Sequence, residues 1–195
     1  IGLRVGDIQN NFEEKYEALK NRHLQILKDL NYTDFDITEE EKKWLEGVDY
    51  MKKFHLTDTE IEINRYLSEG KKVLAEGAQG SLLDIDHGTY PFVSSSSTTS
   101  GGVCTGLGVA PNKLDHIFGI FKAYSTRVGS GPFPVELFDE TGDTIRHIGN
   151  EYGAVTGRNR RCGWLDLVAL KYAIMINGVT DLIMMKGDVL DSFKK

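Results

Sequence analysis

Cysteine, proline and long hydrophobic runs are scarce in this sequence of 195 residues. Its two cysteines, Cys104 and Cys162, cannot build the disulfide framework of a small secreted protein. No apolar run approaches the roughly 18 residues that a membrane-spanning helix requires, and no signal peptide is recognisable. These absences exclude disulfide-rich and membrane-embedded classes of protein, and we expect a cytoplasmic protein without a membrane partner.

Positive charge is also in short supply. The formal net charge is −6, from 23 lysines and arginines against 29 aspartates and glutamates. Because an acidic chain has no long-range attraction for a phosphate backbone, we predict no nucleic-acid partner. The length and the 40% hydrophobic content are sufficient for a globular domain with a well-packed core.

The most informative stretch is residues 76–110, which is rich in glycine, serine and threonine. Glycine lets a backbone approach a ligand closely, and short hydroxyls can hold phosphate or sugar oxygens. An apolar run at 73–75 predicts a short buried strand that leads into this stretch. A flexible linker is the alternative interpretation. Against it, the stretch carries charged, aromatic and apolar side chains: Asp84, His87, Tyr90, Phe92 and Val93.

Residues 1–70 show the apolar periodicity of helices. Residues 10–31 carry one apolar stripe, with charged side chains opposite. Capping boxes that begin at Thr38 and Thr57 predict the starts of two further helices. We therefore predict a helical subdomain over 1–70 and a nucleotide- and substrate-binding part over 71–195.

The second part alternates strand and helix patterns. Residues 117–124 and 182–185 predict strands, 135–148 predict a hairpin, and 165–177 predict a helix. Polar loops follow the strand ends, where ligands bind in open α/β sheets. The pattern predicts an α/β fold with a mostly parallel sheet and an N-terminal helical layer.

Residues 153–161 are the most basic point of this acidic chain, with the sequence GAVTGRNRR. Guanidinium groups bind carboxylates and phosphates through two parallel hydrogen bonds. A solvated basic loop is the alternative interpretation. Because the three arginines stand beside glycines and not among acidic partners, we predict an anion-binding loop.

Lys186-Gly187-Asp188 directly follows the second predicted strand. It resembles the guanine-specificity motif of GTP-binding proteins, in which a carboxylate accepts two hydrogen bonds from the base and a lysine stem lies along the ring. Alone, this spacing would usually belong to a solvated turn. Its position at a strand end favours nucleotide binding.

Four longer strings resemble adenylosuccinate synthetases: EGAQGSLLDIDHGTYPFV, KAYSTRVGSGPFPVELFDETGD, NEYGAVTGRNRRCGWLD and MMKGDVLDSFK. The resemblance is close over residues 73–195 and fair over residues 1–10. It implies a sheet of P-loop-NTPase-like type and a ligase that joins IMP and L-aspartate. It also implies GTP as a co-substrate, Mg²⁺ as a cofactor and a homodimer as the full-length protein.

Matched residue by residue, the resemblance implies three subsites. IMP would be bound by Gln79, Ser94, Val128 and Arg158. L-Aspartate would be bound by Ala154, Val155, Thr156, Gly157, Arg158, Asn159 and Arg160. GTP would be bound by Arg160, Lys186, Gly187 and Asp188. Serine at 94 keeps the hydroxyl of the threonine that is frequent in the family, and Asn159 replaces a common arginine and so weakens the positive charge.

The sequence contains no G-x-x-x-x-G-K-[ST] phosphate loop. The family's proteins are much longer, so we expect a central fragment that lacks the N-terminal phosphate loop and the C-terminal part. We predict no catalytic residue and no metal ligand within it. Two alternatives stay open: a non-catalytic GTP-binding regulatory module, and a structural protein in which residues 1–70 only mediate dimerisation.

Overall fold

The computed structural model describes residues 2–32, 34–155 and 157–193. The chain separates into two compact units, the first ending at Asp58 and the second beginning at Thr59. The third predicted helix, which is observed at Thr59–Ser68, thus belongs to the second unit. The predicted domain boundary at residue 70 stays a prediction about the parent protein.

The first unit is helical. Its helices are α1 (Val5–Gln9), α2 (Phe12–Asp29) and α3 (Thr38–Met51). The rings of Phe12, Tyr16 and Trp44 stack between α2 and α3, with centroids 5.1 to 6.0 Å apart. The Tyr16 hydroxyl and the Lys20 ammonium each donate to a Glu41 carboxylate oxygen at 2.6 Å. The predicted stripe at 10–31 and the predicted helix start near residue 38 are therefore confirmed.

The second unit is an α/β structure. Its helices are α4 (Thr59–Ser68), α5 (Gly101–Leu107), α6 (Glu140–Ile148) and α7 (Leu167–Asn177). Its strands are β1 (Phe118–Lys122), β2 (Tyr124–Arg127), β3 (Arg161–Trp164) and β4 (Asp181–Met185). Strand β1 pairs in parallel with β4, and β2 pairs antiparallel with β3. The predicted α/β class is confirmed, as are the strand at 182–185 and the helix that ends before Gly178.

A small core joins the elements that carry the polar loops. Its buried members are Tyr124, Ile145, Cys162 and Val189. They come from β2, α6, β3 and the short 3₁₀ turn Gly187–Leu190 after β4. Because these elements pack on one another, the start of β2, the start of β3 and the turn after β4 are held close together.

The predicted hairpin over 135–148 is wrong, because its second half is helix α6. The Asp139 carboxylate accepts hydrogen bonds from the backbone N–H groups of Thr141 and Gly142, at 3.1 and 3.3 Å. This is an N-cap, which satisfies donors that the first helical turn leaves unpaired. Aspartate, threonine and glycine favour turns as well as caps, so composition alone led to the wrong element.

The strand predictions also need correction. No strand forms at 73–75, where the Leu74 side chain is 86% exposed. The single strand predicted at 117–124 is two strands, and Ala123 between them donates its N–H to the carbonyl of Met185 at 2.9 Å. Strand β1 is not buried either, since Phe118 is 52% exposed. A strand is covered only where other elements pack against it, and the residues described here pair β1 with β4 alone.

Candidate functional site

Asp84 organises the glycine- and serine-rich stretch. Its side chain is only 1% exposed, and its carboxylate accepts hydrogen bonds from four backbone N–H groups. The donors are Asp86, His87, Thr98 and Thr99, at 2.7 to 3.3 Å. The bond from His87, followed by the others, lowers the pKa of Asp84 although burial opposes the shift. The stretch is therefore a folded loop and not a flexible linker.

The loop brings two of the predicted IMP contacts together. The Ser96 hydroxyl donates to the side-chain oxygen of Gln79 at 3.4 Å and lies 3.1 Å from the hydroxyl of Ser94. The Ser94 hydroxyl also donates to the carbonyl of Leu83 at 2.8 Å. A phosphate oxygen accepts hydrogen bonds, so Ser94 would have to exchange Leu83 for the phosphate when it bound a nucleotide.

Val128 directly follows Arg127, the last residue of strand β2, and Arg127 contacts the same loop. The neighbouring Arg127 donates from one terminal guanidinium nitrogen to the Thr89 hydroxyl at 3.0 Å and to the Phe92 carbonyl at 3.1 Å. These bonds fix the end of β2 against the loop that carries Gln79 and Ser94. The three predicted IMP contacts outside the basic loop thus lie in one connected region.

The basic loop is the tip of a hairpin. Tyr152 and Asn159 form an antiparallel bridge at its base. Gly153 donates its N–H to the Arg158 carbonyl at 2.8 Å, and Gly157 donates to the Gly153 carbonyl at 2.8 Å. Gly157 has a φ of +63°, a left-handed conformation that glycine adopts without strain. We call residues 153–158 the hairpin loop.

The hairpin loop presents its tip to solvent. Val155 is 97% exposed, and Ala154, Arg158 and Asn159 are exposed as well. Thr156, which was predicted to bind aspartate, lies outside the described residues. The hairpin thus brings Arg158 and the backbone of Ala154 and Val155 to the protein surface.

Two arginines that follow the tip have acidic partners. Arg160 forms an ion pair with Glu151 at 2.8 Å, and Arg161 pairs with Glu136 through two guanidinium nitrogens, one of them at 2.8 Å. The expectation that the arginines have no acidic partners is therefore wrong for these two. Their carboxylate partners lie 9 and 25 residues away, so local sequence did not show the pairing.

Glu151 is the functional candidate that sequence reasoning missed. Its side chain is 0% exposed. One carboxylate oxygen accepts from Tyr124 at 2.6 Å, from Lys122 at 2.8 Å and from Lys186 at 3.3 Å. The other oxygen accepts from Arg160 at 2.8 Å. One buried carboxylate therefore joins strands β1 and β2, the base of the hairpin and the motif after β4.

The charge state of this cluster follows from its contacts. Burial alone would raise the pKa of Glu151, but the hydrogen bonds from Lys122, Tyr124 and Arg160 lower that pKa to about 2. Burial lowers the pKa of Lys122 and raises the pKa of Tyr124, since each loses contact with water. Glu151 is thus ionised throughout the physiological pH range and Tyr124 is neutral.

The low pKa of Glu151 predicts an acid-sensitive contribution to stability. The fall from 4.5 to about 2 corresponds to about 3 kcal/mol, which is present above pH 4.5 and is lost as the pH decreases toward 2. In the full-length protein, we expect wild type to melt at a higher temperature than Glu151→Gln near neutral pH. The gap should narrow below about pH 4.5. A gap that stays constant down to about pH 3 would contradict this assignment.

The Lys186-Gly187-Asp188 motif follows strand β4 as predicted. Lys186 has a φ of +58°, and its ammonium group donates to the carbonyl of Gly149 and to Glu151. Asp188 is exposed, and its carboxylate accepts no hydrogen bond from the residues that the structure describes. The motif thus combines a fixed lysine with an acceptor group that faces solvent.

Within the described ranges, no group of three or more histidine, cysteine, aspartate or glutamate side chains is placed to hold a metal ion. None of the described helices is both long and apolar enough to cross a membrane.

The fold and the site define an α/β protein whose polar loops gather at strand ends. The model of the adenylosuccinate synthetase family matches residues 1–195, so the chain belongs to that family. The adenylosuccinate synthetase of Bacteroides thetaiotaomicron is 67% identical over 98% of this chain, and that of Porphyromonas gingivalis is 62% identical over 98%. The chain spans about 45% of the length of these relatives.

Solved structures support the fold. The fully ligated adenylosuccinate synthetase of Plasmodium falciparum superposes with a TM-score of 0.88 at 40% identity, over 98% of this chain and 45% of that one. A cyanophage S-2L succinoaminodeoxyadenylate synthetase gives a TM-score of 0.54 at 24% identity, over 64% of this chain and 38% of that one. The second likeness concerns the fold alone.

Proposed function

We propose that this chain forms part of an enzyme that joins IMP and L-aspartate, with hydrolysis of GTP to GDP and phosphate. The observation that best supports this proposal is a connected network of hydrogen bonds at the strand ends. It runs from the Gln79–Ser94 loop through Arg127 to the end of β2. Arg161 then links that end to the hairpin, and Glu151 links the hairpin to Lys186. Each predicted subsite is reached by this network.

In this proposal the IMP subsite uses amide, hydroxyl and backbone groups. The Gln79 amide meets the hypoxanthine ring, since an amide can both donate and accept. Ser94 contacts the 5′-phosphate, and the backbone at Val128 contacts the ribose together with Arg158. The left-handed backbone at Gln79, with φ of +63°, presents its side chain on the loop surface.

The aspartate subsite is the hairpin, residues 154–160. Its guanidinium groups match the carboxylates of L-aspartate in charge and in geometry. GTP transfers its terminal phosphoryl group to the 6-oxygen of IMP, and the aspartate amine then displaces that phosphate. Arg158 and Arg160 stabilise the negative charge that develops in both steps, which is the largest contribution a protein makes to such transfers.

The GTP subsite uses Arg160 and Lys186-Gly187-Asp188. Asp188 accepts from N1–H and the 2-amino group of guanine, and the Lys186 stem lies along the ring. In this proposal, Mg²⁺ would be held by residues outside this chain. We further propose that the full-length protein is a cytoplasmic homodimer and that the catalytic residues lie outside this chain.

A non-catalytic GTP-binding regulatory module is the second candidate. The Lys186-Gly187-Asp188 motif would serve it equally well. The hairpin with its arginines favours the ligase, because a GTP switch requires no site for a dicarboxylate.

The direct test is product formation. The full-length protein should form adenylosuccinate from IMP, GTP and L-aspartate, as measured by chromatographic separation of the product. The 195-residue chain alone should form none, because it has no phosphate loop to hold the transferred phosphoryl group. A reaction without aspartate is the control. An inactive full-length protein would refute the ligase, and product from the isolated chain would refute its dependence on other segments.

A further inference from the structure

Glu151 occupies the point where two of the proposed subsites meet. Arg160 approaches one of its carboxylate oxygens from the base of the hairpin, and Lys186 approaches the other from the turn after β4. The three cations around it are Lys122, Arg160 and Lys186, and Glu151 is the acidic residue with which each forms its ion pair in the described structure. A single buried negative charge thus keeps three positive charges in one place.

Hydrogen bonds fix the main chain of Arg160, and the ion pair with Glu151 orients its side chain. Its N–H donates to the Glu151 carbonyl at 3.0 Å, and its own carbonyl accepts from the Arg146 side chain at 2.9 Å. Among the described residues, its side-chain Nε is buried and has no hydrogen-bond partner. The direction of the guanidinium group therefore depends on the Glu151 carboxylate.

Lys186 is held in a similar way. Its backbone lies in the left-handed region, which is uncommon for a residue with a side chain, and its ammonium group is fixed by the Gly149 carbonyl and by Glu151. Both acceptors belong to the segment that follows helix α6. That segment therefore determines where the lysine stem runs.

We propose that Glu151 is a shared positioning residue, whose buried carboxylate orients Arg160 at the aspartate hairpin and Lys186 at the guanine motif. This inference rests on the proposed function for its two ligands. Loss of the carboxylate weakens the use of GTP and of aspartate together, because both subsites depend on the same anchor. It leaves the IMP loop in place, since Asp84 and Arg127 hold that loop independently.

Glu136 provides a matched control. It pairs with Arg161, the residue next to Arg160, and its side chain is also largely buried. Arg161 donates in addition to the carbonyls of Gly129 and Gly131, at 3.1 and 2.9 Å. Glu136 therefore supports the segment beside Val128, on the IMP side of the site.

The experiment compares Glu151→Gln with Glu136→Gln in the full-length protein. Glutamine keeps the size of the side chain but removes the charge, and its amide group presents donors to cations that need acceptors. Glu151→Gln should raise the KM for GTP and the KM for aspartate about ten- to hundred-fold each. The KM for IMP should rise less, because Arg158 is the one proposed IMP contact that lies on the hairpin. Glu136→Gln should show the reverse pattern, with the KM for IMP affected most.

Hydrogen–deuterium exchange gives a readout that does not require activity. Glu151→Gln should accelerate exchange in residues 152–160 and 186–190, and Glu136→Gln should accelerate it in residues 127–131. If Glu151→Gln fails to fold, Glu151→Asp replaces it, because it keeps the charge on a shorter side chain and should give a smaller change of the same pattern.

The outcomes separate the two proposals. A wild-type protein without synthetase activity would refute the proposed function. Hydrogen–deuterium exchange would then still test whether Glu151 holds both segments. If the wild-type protein is active, the positioning role would be refuted by a Glu151→Gln variant in which all three KM values change equally, or in which none changes. Accelerated exchange in only one of the two segments would refute the shared anchor.

Discussion

Asp188→Asn in the full-length protein is expected to reverse the preference for GTP over XTP. In the proposed GTP subsite, the Asp188 carboxylate offers two acceptors to N1–H and the 2-amino group of guanine, whereas asparagine offers one acceptor and one donor. One guanine donor then faces another donor, which should cost GTP about 2–4 kcal/mol because a buried polar group is left unpaired. Xanthine has a carbonyl where guanine has its amine, so XTP regains the lost hydrogen bond.

The measurement is the KM and kcat of the variant with GTP, XTP and ATP. ATP should stay a poor substrate, since its N1 is an acceptor and its position 2 carries no polar group. Asp191→Asn, at an exposed aspartate on the same turn, is the control and should keep the wild-type preference. If Asp188→Asn retains the wild-type KM for GTP and does not use XTP, Asp188 does not contact the guanine base, and the guanine pocket lies elsewhere.

Arg158→Leu should weaken the use of aspartate and IMP far more than the use of GTP. The Arg158 side chain lies on the exposed hairpin loop, where a bound dicarboxylate would bury its charge. Loss of one such contact costs about 1.5–3 kcal/mol, or roughly ten- to hundred-fold in KM. Steady-state kinetics with each substrate varied in turn would measure the change.

Lys171→Leu is a suitable control for Arg158→Leu. It removes one positive charge from an exposed position on helix α7 and should leave all three KM values near those of wild type. Unchanged kinetics for Arg158→Leu itself would show that the hairpin loop is only a solvated surface.

Local patterns were sufficient to predict most of the helices. The apolar stripe of α2, the polar start of α3 and the glycine after α7 are signals that act within one or two turns. Helix α6 was missed because Asp139 caps a helix in a sequence whose composition equally suits a turn. The separate strands β1 and β2 were missed because their break at Ala123 depends on a partner in β4.

The candidate site was predictable where it follows strand ends and resembles a known family. The Gln79 loop, the hairpin and the Lys186-Gly187-Asp188 motif were recognised in this way. Glu151 was not, because its partners Lys122 and Lys186 are 29 and 35 residues away along the chain. A single glutamate has no periodicity or spacing that predicts burial, and only the folded chain brings its three cations together.

In the proposed IMP subsite, the carboxylate of Asp84 also affects the thermodynamics of ligand binding. It fixes backbone groups as far apart as Asp86 and Thr99 before any nucleotide arrives. Ordering a flexible segment on binding would cost roughly 1–2 kcal/mol for each residue. In this loop folding has already met that entropic cost, so more of the free energy of contact between nucleotide and loop is available as affinity.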